Sequence, residues 1–175
     1  MSWSNQKNLL QILMLATLLF GIGYLPSAIA LDVGDKLPAL TVVTLDGKQL
    51  NLSALRGKVL VLDLWATWCT PCREEMPVLN TFYKQYRDRG VVVFGLSEDN
   101  SSDNAKVREV MKAFAYPAAL AADAKTNDMR SPRVLPITYV IDQAGVIRAK
   151  LWVGGAPMTA RNLAAAVDPL LSPTH

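Results

Sequence analysis

The chain is poor in the residues that build most metal centres and disulfide scaffolds. It has two cysteines in 175 residues and a single histidine, His175, at the very end. A zinc centre needs four donors, mostly Cys and His, so a lone cysteine pair would be half of one. Two cysteines also close at most one disulfide. A basic tract is missing as well. Eighteen Lys and Arg against fifteen Asp and Glu leave a formal net charge of +3, with both signs scattered along the chain. That is not the footprint of a nucleic-acid binder. There are no internal repeats and no low-complexity linker, so the length reads as one domain with something appended.

The appended part is 1–30. Lys7 gives a weakly positive start, Leu9 to Leu25 is apolar except for Gln11 and Thr17, and Pro26 ends the run. Ala28-Ile29-Ala30 has the small-x-small form of a signal-peptidase site. The expectation is export with cleavage after Ala30. The alternative is an uncleaved anchor, since a run of this length sits at the short edge of a membrane-spanning helix. Either case places the domain, 31–175, outside the cytoplasm, in the periplasm or on the outer face of the membrane. The membrane is then touched only through this segment.

The two cysteines are Cys69 and Cys72, between an apolar run ending in Asp63-Leu64-Trp65 and a helical pattern. A disulfide this short closes a small loop and is a poor staple, worth roughly 2 kcal/mol against about 3 for a 15-residue loop. Half a zinc site lacks its other donors. A redox dithiol at a strand-to-helix junction fits best. There Cys69 meets the unpaired N–H groups and positive dipole end of the helix, which favour the thiolate. Pro71 suits a first turn, where a missing N–H costs nothing. Cys72, one turn in and more buried, is the natural resolving thiol.

Trp65-Ala66-Thr67-Trp68-Cys69-Thr70-Pro71-Cys72 resembles the active site of the thioredoxin superfamily, and the extension through Glu75-Met76-Pro77 resembles its TlpA/ResA-type thiol-disulfide oxidoreductases. The resemblance spans about Asp32 to Leu171. It implies an α/β thioredoxin-like fold: a mixed central sheet flanked by helices, with an N-terminal β-hairpin and a central αβ insertion. It implies that Pro136 is a cis-proline facing the cysteine pair. A proline at the start of a strand could equally be a trans edge residue. It also implies that Leu135 pairs through its backbone with substrate, and that Trp68, Thr70 and Pro71 lie on the substrate-binding rim.

Two acids stand out. Asp63 interrupts the run Val59 to Trp65, which reads as a central strand buried on both faces. It is either a strand-end group reaching solvent or a buried proton acceptor beneath the cysteines. Glu75 shares a helix face with Cys72. It is either a helpful charge in the first helical turn or, by resemblance, a proton shuttle for the thiols. Elsewhere, Leu40 to Leu45 and Lys48 to Leu52 flank the hairpin signal Asp46-Gly47. A kinked helix runs from Pro71 to about Arg87, with Pro77 inside it, and Val91 to Ser97 is a second buried strand. A helix capped by Asp103 or Asn104 follows, then a short strand near Pro117 to Leu120 and a short helix over 124–130. Strands at 134–142 and 146–153 and a last helix opened by Pro157 complete the reading.

These expectations describe an exported enzyme, a thiol-disulfide oxidoreductase of the protein-disulfide reductase type. It needs no cofactor or metal beyond the Cys69–Cys72 disulfide. Its partners are protein disulfides or dithiols and a membrane-bound electron donor, and the resemblance implies apocytochrome c before haem attachment as one such substrate. A disulfide-donating oxidase is the alternative. A copper metallochaperone, for which His175 is a poor distant ligand, and a peroxidase are weaker ones.

Overall fold

The computed structural model describes residues 31–129, 131–151 and 157–171. The expected leader at 1–30, the end of the expected strand at 152–153 and His175 lie outside the described residues. No described helix is long and apolar enough to cross a membrane.

Two continuous apolar runs form the centre of the fold. Strand β3 (Val59–Trp65) is buried at all seven positions, and β4 (Val91–Ser97) at six. A strand covered on both faces needs such a run, and each fully buried large side chain contributes about 1.5–3 kcal/mol. The pair is parallel, from Val59 opposite Val91 to Trp65 opposite Ser97. β5 (Ala118–Leu120) adds parallel to β4, β7 (Ile137–Ile141) adds antiparallel to β3, and β8 (Ile147–Leu151) closes the far edge antiparallel to β7. The order β5-β4-β3-β7-β8 is the expected mixed sheet.

The hairpin β1 (Leu40–Val43) and β2 (Gln49–Asn51) turns at Gly47, whose φ of +87° suits glycine. It reaches the main sheet through a bridge from Thr44 to Ala119 and the bond from Leu45 N–H to the Ala118 carbonyl. At the opposite edge the lead-in runs past the start of β8. Lys36 bridges Val146, Gly34 N–H donates to the Ile147 carbonyl, and Ile147 N–H donates to the Asp35 carbonyl.

Helix α1 (Thr70–Tyr86) presses Cys72, Glu75, Met76, Leu79, Phe82 and Tyr86 onto the sheet. Pro77 lies inside it and removes one rung of its ladder. α2 (Asn104–Met111) buries Val107 and Met111, and α3 (Ala160–Val167) buries Leu163 and Val167.

Three local expectations need correction. Residues 124–129 of the expected helix 124–130 do not form one; residue 130 lies outside the described residues. β6 (Thr126–Asn127) pairs with β1 there, and Lys125 and Asp128 N–H groups donate to the Thr41 and Ala39 carbonyls. Asp103 precedes α2 without capping it, because its carboxylate is held by Lys106 at 2.7 Å. The last helix starts at Ala160, where Thr159 and Asn162 form a capping box, and not at Pro157.

Candidate active site

The chain leaves β3 at Trp65, makes a short loop, and enters α1 at Cys69. Cys69 is the N-cap residue in extended conformation, and Cys72 N–H donates to its Sγ at 3.2 Å. The two cysteines form a disulfide with a Cα–Cα distance of 5.3 Å. Cys69 retains 5 % exposure and Cys72 none. One sulfur therefore sits at the surface end of the helix dipole, where a thiolate is stabilised, and the other is sealed behind it.

The rim divides by exposure. Trp68 is 70 % exposed beside the disulfide, whereas Trp65 is fully buried. Thr70 is exposed and Pro71 half-buried in the first turn of α1. The Leu135–Pro136 peptide bond is cis. Ile137 pairs with Leu64, so Pro136 lies level with the end of β3 from which the cysteine loop departs.

A residue outside the motif holds that loop. Asp99, 3 % exposed just past β4, accepts from Thr67 N–H at 2.8 Å, from the Thr67 hydroxyl at 2.7 Å and from the Ser97 hydroxyl at 2.7 Å. Glu98 N–H also donates to the Trp65 carbonyl at 2.8 Å. Nothing local in the sequence marks Asp99, because it and Thr67 lie 32 residues apart. Asp99→Ala would orphan these buried donors. It should cost about 1.5–3 kcal/mol in chemical denaturation, since bonds to a charged acceptor are the stronger kind. It should also slow disulfide exchange through a loosened loop.

Two acids meet between β3 and the buried face of α1 that carries Cys72. Asp63 does not reach solvent. It is fully buried, paired on one side with Gly95 of β4 and on the other with Thr138 of β7, whose hydroxyl donates to Oδ1 at 3.3 Å. Glu75 is 4 % exposed and lies beyond the first turn of α1, so it is not the helix-end charge the sequence allowed. Its neighbour Glu74 takes the solvent side. Asp63 Oδ2 and both Glu75 carboxyl oxygens find no partner outside the pair, and the protonated Glu75 carboxyl can donate to Asp63. Burial pushes both carboxyls well above the usual carboxylate range, and the proximity of Asp63 raises Glu75 further. The two titrate as one system that keeps a proton to neutral pH.

Among the described residues no group of three or more His, Cys, Asp or Glu side chains is placed to hold a metal ion. The disulfide at the head of α1 can undergo sulfur exchange.

Comparison with known proteins agrees with this geometry. Residues 33–150 match the family model described as AhpC/TSA family. The chain is 30 % identical over 129 residues to the thiol-disulfide oxidoreductase ResA of a Bacillus cereus strain, covering 74 % of this chain and 75 % of that one. A Chlorobium tepidum structure described as a thiol:disulfide interchange protein DsbE superposes with a TM-score of 0.69 at 26 % identity, over 82 % of this chain and all of that one. A secreted thiol-disulfide isomerase from Corynebacterium glutamicum superposes with a TM-score of 0.62 at 25 % identity, over 83 % of this chain and 93 % of that one. The sequence match, the mixed sheet and the disulfide at the head of α1 agree, and the chain belongs to the ResA-like thiol-disulfide oxidoreductases of the thioredoxin superfamily.

Proposed function

We propose that this enzyme works outside the cytoplasm as a reductant of protein disulfides. Cys69 attacks and Cys72 resolves, and the Asp63–Glu75 pair takes the resolving proton. The observation that carries the reading is a buried acid pair of which one member, Glu75, shares with Cys72 the buried face of α1, one turn past the disulfide whose outer sulfur caps that helix. In the reducing direction the Cys69 thiolate attacks a substrate disulfide. This forms a mixed disulfide and releases one substrate thiolate, which is protonated by solvent. The Cys72 S–H bond then breaks, and its proton passes to the carboxylate of the pair. The Cys72 sulfur bonds to Cys69, and the second substrate sulfur leaves as thiolate and takes up a proton. Two electrons reach the substrate, and the pair later returns its proton.

Trp68 offers an exposed apolar face to the chain that carries the disulfide, and Thr70, Pro71, Leu135 and Pro136 line the same end of the sheet. The leader at 1–30 and the secreted Corynebacterium relative support an extracytoplasmic site. Reduced equivalents then have to come from a membrane-bound donor, and apocytochrome c before haem attachment is a fitting client.

The test is the equilibrium potential of the Cys69–Cys72 couple. A value near those of thioredoxin and glutaredoxins, about −270 to −200 mV, supports a reductant. A value near about −120 mV, that of a strong oxidant, favours disulfide donation instead.

A further inference from the structure

The segment that follows β4 holds both loops at the cysteine end of the sheet. Ser97, the last residue of β4, pairs with Trp65, the last of β3. Just beyond it, Asp99 holds the Thr67 loop that leads into Cys69. Glu98 lies between Ser97 and Asp99 and makes bonds of its own. Its N–H donates to the Trp65 carbonyl at 2.8 Å, and its Oε2 accepts from the Ser131 hydroxyl at 2.7 Å. Adjacent acids thus serve two loops that are far apart in sequence.

Ser131 opens the stretch Ser131-Pro132-Arg133-Val134 that leads to Leu135 and the cis Pro136. The stretch is pinned at both ends. Glu98 holds Ser131, and Leu135 is partly buried against both hydrophobic clusters, which take alternate residues of β3 and so lie on opposite faces of the sheet. Between these anchors Arg133 and Val134 are exposed, Val134 at 53 %. Few soft torsions remain, because Pro132 fixes its own φ and restricts Ser131, and Pro136 fixes its own φ. A shift at Ser131 is therefore passed along the backbone to Leu135 with little slack. Glu98 is half-buried, and burial pushes its carboxyl up while the Ser131 hydroxyl opposes the rise. The bond does not need the charge, since a neutral carboxyl or amide oxygen also accepts from a hydroxyl.

We infer that Glu98 is a positioning residue for the client chain: by holding Ser131 it sets where the Leu135 backbone stands at the cysteine end of the sheet, and thereby the affinity for polypeptide disulfides rather than the reactivity of the sulfurs. The inference rests on that end of the sheet meeting a polypeptide client, as proposed above. Glu98→Ala and Ser131→Ala should each raise KM for the disulfides of insulin by about three- to tenfold, the scale of one lost hydrogen bond, with kcat little changed. The rate of the reduced enzyme with dithiobis(nitrobenzoate), a disulfide without a peptide backbone, should match wild type. Glu98→Gln keeps an acceptor oxygen and should restore most of the wild-type KM. The double variant Glu98→Ala/Ser131→Ala should be no worse than either single one, because the same bond is lost in all three.

Ser131 is exposed, so its alanine variant leaves the core intact and keeps the test independent of folding at Glu98. A wild-type KM for insulin in Ser131→Ala would overturn the inference. An equal loss with dithiobis(nitrobenzoate) would also overturn it, by placing the defect at the sulfurs. Additive losses in the double variant would show that the two residues act apart, and an unrecovered KM in Glu98→Gln would show that charge and not the tether matters; either result rejects the idea. If wild type reduces dithiobis(nitrobenzoate) but not insulin, the client reading falls and the inference with it. If wild type reduces both and the alanine variants match it, the inference alone falls.

Discussion

Cys72→Ala should abolish turnover while leaving the first attack intact, so that the enzyme accumulates joined to its substrates. Cys69 keeps its partial exposure and its place at the head of α1, where the dipole favours thiolate. Nothing in the variant can attack the resulting mixed disulfide from within, because Cys72 is the only other cysteine. Non-reducing electrophoresis from a cell expressing the variant should show adducts that collapse to one band with dithiothreitol. Identifying the attached chains names the clients. Cys69→Ala should give no adducts and only background exchange. Adducts from Cys69→Ala and none from Cys72→Ala would reverse the roles of the two thiols.

Glu75→Gln should reshape both the pH dependence of exchange and that of stability. Folding raises the Glu75 carboxyl above its ordinary 4.5, through burial first and Asp63 second. Between the ordinary and raised values the folded state therefore binds more proton than the unfolded chain, and stability falls as pH rises. Glutamine removes that contribution. The variant should match wild type near pH 4 and overtake it toward pH 8, each unit of elevation being worth about 1.4 kcal/mol. Asp63 is raised as well and retains part of the slope. Exchange should at the same time lose its acidic limb or shift it, whereas Glu74→Gln on the solvent side should alter neither property. Denaturation midpoints and pH–rate profiles measured on the same protein check both. A wild-type pH profile from Glu75→Gln would leave proton transfer to Asp63 alone.

The parts of this molecule legible in its sequence are those governed by local pattern. Val59 to Trp65 and Val91 to Ser97 are apolar almost throughout, and a doubly covered strand needs such runs. The spacing of Met76, Leu79, Phe82 and Tyr86 fits one helix face. The Cys-x-x-Cys with its flanking tryptophans announces its chemistry. What stayed hidden depends on partners far along the chain. The two-residue strand β6 exists because β1 offers it hydrogen bonds, and an alanine-rich stretch has no local feature that shows this. Asp103 looks like a cap, but Lys106 holds it. Asp99 is ordinary in its own neighbourhood. Its meaning comes from Thr67, which the fold brings to it. Asp63 lay between the two regimes. Its oddity in an apolar run was visible, but its lack of a route to solvent required the strands on either side.

The bridges at the two margins of the main sheet have a bearing on solubility. An open strand edge is a template for another chain, and natural proteins cover or break such edges. Here the hairpin stitches onto β5 through Thr44 and Leu45, and the lead-in around Lys36 stitches onto the start of β8. If its clients are extended polypeptides, as the proposed function implies, the protein gains from both covers. They leave client backbones little chance to add as extra strands and seed aggregates at the flanks, and they direct encounters toward the sulfur.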